Sequence, residues 1–311
     1  MALLFLHGAG NVSIEAITTR FGNASIEDTT RNALAVVEKF NLDSPVYQGA
    51  AGPMGERLGE GYPEHVHGKN GLGNIELEPP LIKQESRSAA QAIVDISIAK
   101  DGELSIVAVG GLTNIALALE LDPGVADRIA QVIVMGGAFG YNGHSGNVSP
   151  VAEANIASDP LAADVVFSSS IPTTVVGLDV THEVTIDEAA IDKLAFEAGE
   201  MGQFIKRSSR HYLEFHHSIT GKYASPLHDS CAVAYLLRPD LFGTIRQPVR
   251  VVTEGIAIGQ TIHGNDLRKY VSKAWDDIPE STICTSVKSA QVLDLFHSTL
   301  VNADQLARGN E

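Results

Sequence analysis

Cysteine is nearly absent from this chain: Cys231 and Cys284 are the only two among 311 residues. Two thiols without metal-like spacing exclude a disulfide framework or a cysteine-built zinc site. Both lie in apolar stretches and read as small buried residues. Positive charge is also short, with 22 Lys and Arg against 38 Asp and Glu, a formal net charge of −16. Such a surface repels phosphate backbones and anionic membranes. The densest basic stretch sets Lys206, Arg207 and Arg210 at helical spacing, which reads as a solvated helix face. Neither nucleic acid nor a membrane is therefore expected as a partner. The apolar residues 1–7 are far shorter than a membrane span and lack both a basic region and a cleavage site, so a cytoplasmic protein is expected. Neither Gly-x-x-x-x-Gly-Lys-Ser/Thr nor Gly-x-Gly-x-x-Gly occurs, which argues against a phosphate-binding α/β protein such as a sugar kinase.

What the chain does have is regular alternation. Hydrophobic residues make up 44% and charged residues 19%, as in an ordinary globular protein. Strands are expected at 14–19, 45–50, 104–109, 131–135, 173–179, 248–253 and 282–287. Between them run helical patterns: 26–40, 86–100, one after Thr113 as a possible cap, one opened by Asp159-Pro160, 186–217, one opened by His228-Asp229, and one from Ser289. Residues 104–109 read as a strand buried on both faces. The expected fold is α/β, a single domain over 1–311 with a mostly parallel central sheet flanked by helices. Ligands in such folds sit outside the carboxyl ends of the strands.

Four segments at those ends carry polar residues that a buried sheet does not need: Phe21-Gly22-Asn23; His65-Val66-His67-Gly68 within a long loop over 52–80; Gly146 to Asn155; and Leu227-His228-Asp229. Taken singly, each has a bland reading. Asn23 or Asp229 can cap a helix, His65 and His67 more often bind nothing than a metal, and His228 can be a half-buried histidine. Glu153 and Asn155 alternate as on one side of an extended segment. With Asn147 they offer the amide and carboxylate groups that suit a polyhydroxylated ligand such as a sugar.

Several blocks resemble, in order and spacing, those of the inosine–uridine-preferring nucleoside hydrolases. They are Ile17-Thr18-Thr19-Arg20-Phe21-Gly22-Asn23-Ala24-Ser25, His65-Val66-His67-Gly68, Gly110-Gly111-Leu112-Thr113-Asn114, Met135-Gly136-Gly137 with Gly146 to Ile156, and Leu227-His228-Asp229. The resemblance implies cleavage of the N-glycosidic bond of a ribonucleoside by a water bound to Ca²⁺. Asp229 and the backbone carbonyl of Thr113 would be metal ligands. Asn23, Asn147, Glu153 and Asn155 would hold the ribose, His228 would protonate the leaving base, and His67 would line the base side. A histidine at the leaving group argues against the branch that stacks the base on tryptophans; the lone Trp275 reads as a surface or lid residue. A homodimer or homotetramer is expected.

The same resemblance implies that the chain begins inside the family's first helix. The preceding strand and its Asp-x-Asp-Pro-Gly-x-Asp-Asp turn would then have no counterpart, and no Asp occurs before Asp28. On that reading the first strand of the sheet is absent through truncation, calcium binding is weakened and activity is in question. The alternative is a catalytically inactive homologue that binds nucleoside or ribose.

Overall fold

The computed structural model describes residues 1–55, 61–265 and 268–309, with side chains to residue 306; the loop over 52–80 is thus described only in part. Ten strands are described: β1 Ile17–Thr18, β2 Val46–Tyr47, β3 Leu104–Ala108, β4 Ile129–Met135, β5 Thr173–Val176, β6 Thr185–Asp187, β7 Ala224–Pro226, β8 Phe242–Val251, β9 Thr261–His263 and β10 Glu280–Val287. Six of them form one sheet in the order β3-β4-β5-β10-β8-β9. Its β3-β4-β5-β10 portion is parallel, and β8 and β9 extend it antiparallel. Parallel β1–β2 and antiparallel β6–β7 stand as separate pairs.

Alternation along β4 explains the layering. Its side chains point to opposite faces in turn. Ile133 and Met135 join a core with Phe5, Leu178, Val233 and Phe296, whereas Val132 and Val134 join another with Ile93, Ile115, Val166 and Val175. The first core lies under the helices Gly199–Thr220, His228–Leu237 and Ser289–Gly309, and the second under Ala89–Ala99, Thr113–Leu121 and Pro160–Ser168. The opening helix Ala2–Gly8 packs Phe5 edge-on against Phe296 at 5.2 Å between ring centroids. Among the described residues no helix is long and apolar enough to cross a membrane.

Several expectations need correction. β3 is half-buried along its length rather than covered on both faces, because among the described strands it pairs only with β4. The helices expected over 186–217 are Glu188–Glu197 and Gly199–Thr220, separated where Gly199 takes φ +50°. Asn23 caps nothing: Ser25 accepts from the Asp28 N–H at 3.1 Å. Nor does Thr113 or Asp229 cap; Leu112 and Leu227 hold those positions without side-chain bonds. Asp159 caps as expected, with Pro160 in the first turn.

Candidate active site

Polar residues follow the carboxyl ends of β1, β3, β4 and β5, and three buried side chains tie these ends together; His65 and His67 lie in the long loop after β2, and His228 and Asp229 follow β7. Asn114 donates to the Thr19 carbonyl (2.9 Å) and accepts from the Ala50 N–H (3.0 Å), joining the end of β1 to the helix after β3. Asp159, fully buried, accepts from the Thr113 hydroxyl (2.6 Å) and the Met54 N–H (3.0 Å). Asp179, equally buried, accepts from the N–H groups of Phe139 and Tyr141 and shapes the turn after β4. Arg20 reaches Ser158 (3.0 Å) and the Thr113 hydroxyl (3.1 Å), and the Ser158 hydroxyl donates to the Asn155 carbonyl (2.7 Å).

Glu153 has extended backbone but does not share an extended segment with Asn155. It is the N-cap of the short helix Ala154–Ala157, which contains Asn155. Its two carboxylate oxygens accept from three backbone N–H groups: Asn155 (2.9 Å), Gly137 (3.0 Å) and Ile156 (3.1 Å). Burial nevertheless pushes its acid up to about 7 against those donors. Asn155 donates from Nδ2 to the Met135 carbonyl (3.0 Å), which fixes its amide at the end of β4. Asn147 accepts from the Ala154 N–H (3.0 Å) and lies beside Glu153, exposed. Asn23 follows β1, whose carboxyl end Asn114 ties to the helix after β3; it is exposed, and no hydrogen bond links it to the others among the described residues.

His228 and Asp229 begin the helix His228–Leu237. Both lie deep but keep some exposed surface. His228 Nδ1 is 2.7 Å from the Thr181 hydroxyl. Burial, then the neighbouring His182, His216 and His67, push its ring down to about 3, so it is neutral near pH 7. His182 packs 5.1 Å from it, and burial pushes that ring down to about 4. Burial pushes the Asp229 acid up to about 6, with the Met1 amino group pulling the other way.

His67, in the short helix Glu64–His67, stacks on Tyr212 with ring centroids 5.6 Å apart and planes 12° from parallel. Burial and neighbouring histidines push His67 down to about 4. Tyr212 also meets His216 edge-on at 4.5 Å. Tyr212, Phe215 and His216 share one face of Gly199–Thr220, and His65 packs against Phe215.

The structure thus groups His228, Asp229, His67, Glu153, Asn155 and Asn147, with Thr113 linked through Ser158 and Arg20; Asn23, after β1, is not hydrogen-bonded to them among the described residues. Sequence reasoning missed Thr181, His182, Tyr212 and His216. The spacing of Tyr212, Phe215 and His216 at i, i+3 and i+4 was a legible helix-face signal. Nothing local marked Thr181. A surface cleft of about 520 Å³ between Arg238, Gln291, Asp294 and His297 shares no residue with this group.

Fold and site together describe an α/β enzyme with a sugar-type polar cluster at the strand ends and an aromatic, histidine-rich wall beside it. The chain belongs to the inosine-uridine preferring nucleoside hydrolase family, whose sequence model matches residues 1–294. It is 36% identical to uridine nucleosidase 1 of Arabidopsis thaliana over 306 residues, covering 97% of this chain and 89% of that protein. It is also 36% identical to the inosine-uridine preferring nucleoside hydrolase of Leishmania major, over 84% of this chain and 82% of that one. A solved plant nucleoside hydrolase superposes with TM-score 0.91 at 31% identity, covering 96% of this chain and 94% of its own.

Proposed function

We propose that this chain hydrolyses the N-glycosidic bond of ribonucleosides, uridine among them, to free base and ribose. The observation that carries the reading is the grouping of Glu153 and Asn155 with the neutral His228 beside the His67–Tyr212 stack. Glu153, Asn155, Asn147 and Asn23 would take the ribose hydroxyls, which uses binding energy away from the reacting bond to orient the sugar. The apolar faces of His67 and Tyr212 would meet the base. The water oxygen bonds to C1′ as the C1′–N bond breaks, one proton of that water is released, and the leaving nitrogen gains a proton through the ring N–H of His228, which regains one from solvent.

The resemblance implies calcium, which Asp229 and the Thr113 carbonyl would hold. Asp229 accepts no hydrogen bond among the described residues, as suits a carboxylate that meets a cation. Calcium takes roughly six to eight oxygens. Asp229 and the Thr113 carbonyl fall well short of that, and no group of three or more His, Cys, Asp or Glu comes together among the described residues. These residues do not make a calcium cage by themselves, and Asp229 and the Thr113 carbonyl would hold the ion only weakly. That shortage favours a second reading, a protein that binds nucleoside without turning it over.

Ribose release from uridine and inosine with excess Ca²⁺ tests both readings. Turnover that falls on His228→Ala supports the hydrolase. Nucleoside binding by calorimetry without release supports the second reading, and neither binding nor release refutes both.

A further inference from the structure

The mechanism needs His228 to present a proton on one edge of its ring, and a neutral imidazole carries only one. Which nitrogen holds it is set by the hydrogen bond made at the other. At Nδ1 that partner is Thr181, at 2.7 Å.

Thr181 ends the short helix Leu178–Thr181 and is fully buried. Its hydroxyl has no other hydrogen-bond partner among the described residues. That count decides the direction of the bond. If Nδ1 carried the proton, the hydroxyl would have to accept it, and its own O–H would be left buried without an acceptor. If the hydroxyl donates to the Nδ1 lone pair, both groups are satisfied and the ring proton sits on Nε2. Leaving a buried donor unpaired is the costlier outcome, so the second arrangement holds. Nε2, on the opposite ring edge, bonds to no protein group among the described residues and is left for a ligand.

The surroundings keep Thr181 in place. The Leu178 N–H donates to the Gly137 carbonyl at 2.8 Å, and Asp179 grips Phe139 and Tyr141. The Gly137 N–H is in turn held by Glu153. One turn after β4 therefore anchors both the sugar-side carboxylate and the residue that holds the histidine.

We infer that Thr181 is a positioning residue for His228: its hydroxyl donates to Nδ1, fixing the ring as the Nε2–H tautomer with its proton turned toward the leaving base. This rests on the reading of His228 as the acid, and the test separates the two ideas. Two-bond ¹H–¹⁵N correlation spectra of ¹⁵N-histidine-labelled chain at pH 7, with His228→Asn to assign the ring, read the tautomer directly. The expected pattern is Nε2–H, with the Nδ1 resonance displaced in Thr181→Val and kept in Thr181→Ser. An Nδ1–H pattern, or an Nδ1 resonance indifferent to Thr181→Val, overturns the inference. Turnover adds a second readout. Thr181→Val should slow uridine cleavage about tenfold at unchanged KM, the order of one hydrogen bond. It should spare a nitrophenyl riboside, whose leaving group needs no proton. An Nε2–H ring combined with uridine turnover indifferent to His228→Asn upholds the tautomer and overturns the acid role instead.

Discussion

Replacing Glu153 with Gln tests the central electrostatic feature of the site. Glu153 is 2% exposed, and its acid stands at about 7 against an ordinary 4.5. At about 1.4 kcal/mol per tenfold, that difference amounts to about 3 kcal/mol. The sign follows from linkage. Below pH 4.5 folded and unfolded chains both hold the proton. Between 4.5 and 7 the folded chain keeps a proton that the unfolded chain has lost, so the stabilisation falls as pH rises and is gone above 7. Gln does not titrate, so urea unfolding of the two proteins from pH 4.5 to 8 isolates this contribution. The stability difference should move by about 3 kcal/mol in favour of the Gln variant across that range. A flat difference refutes the reasoning: the N–H groups of Gly137, Asn155 and Ile156 would then hold the carboxylate ionised throughout.

Three further perturbations probe separate parts of the site. Asn114→Ala leaves the Ala50 N–H and the Thr19 carbonyl buried without partners, and should cost about 2–4 kcal/mol in urea unfolding. Tyr212→Ala removes the ring stacked on His67, and should weaken nucleoside binding about tenfold in calorimetry while leaving ribose binding unchanged. His182, near 4 in the folded chain against 6.5 ordinarily, contributes stability that is full above pH 6.5 and lost as pH falls through 4. His182→Asn should therefore flatten the acid limb of the thermal-unfolding profile.

Most of the layered architecture was legible in the sequence because its signals are local and periodic. The run Val132-Ile133-Val134-Met135 reads as buried on both faces, and in the fold its residues alternate between two cores. Asp159-Pro160 marks a helix start that the structure keeps. The polar segments were legible too, because strand-end residues that no core requires stand out against apolar strands. Their roles within those segments were less so. Glu153 and Asn155 look extended by alternation, but Glu153 caps a helix, because the three N–H groups converging on it outweigh the local pattern.

The sequence by itself determined that this is an α/β chain with sugar-type polar groups at the ends of its strands. Periodicity and turn chemistry depend on residues within a few positions of one another. Only the tertiary structure decided which groups meet. Thr181 reaches His228 across 47 positions, and Asn114 reaches Thr19 across 95. The neutral state of His228 follows from burial among histidines that lie on other elements. Desolvation and hydrogen bonding act through space, so proton positions and acidities are set by packing that no local stretch of sequence contains.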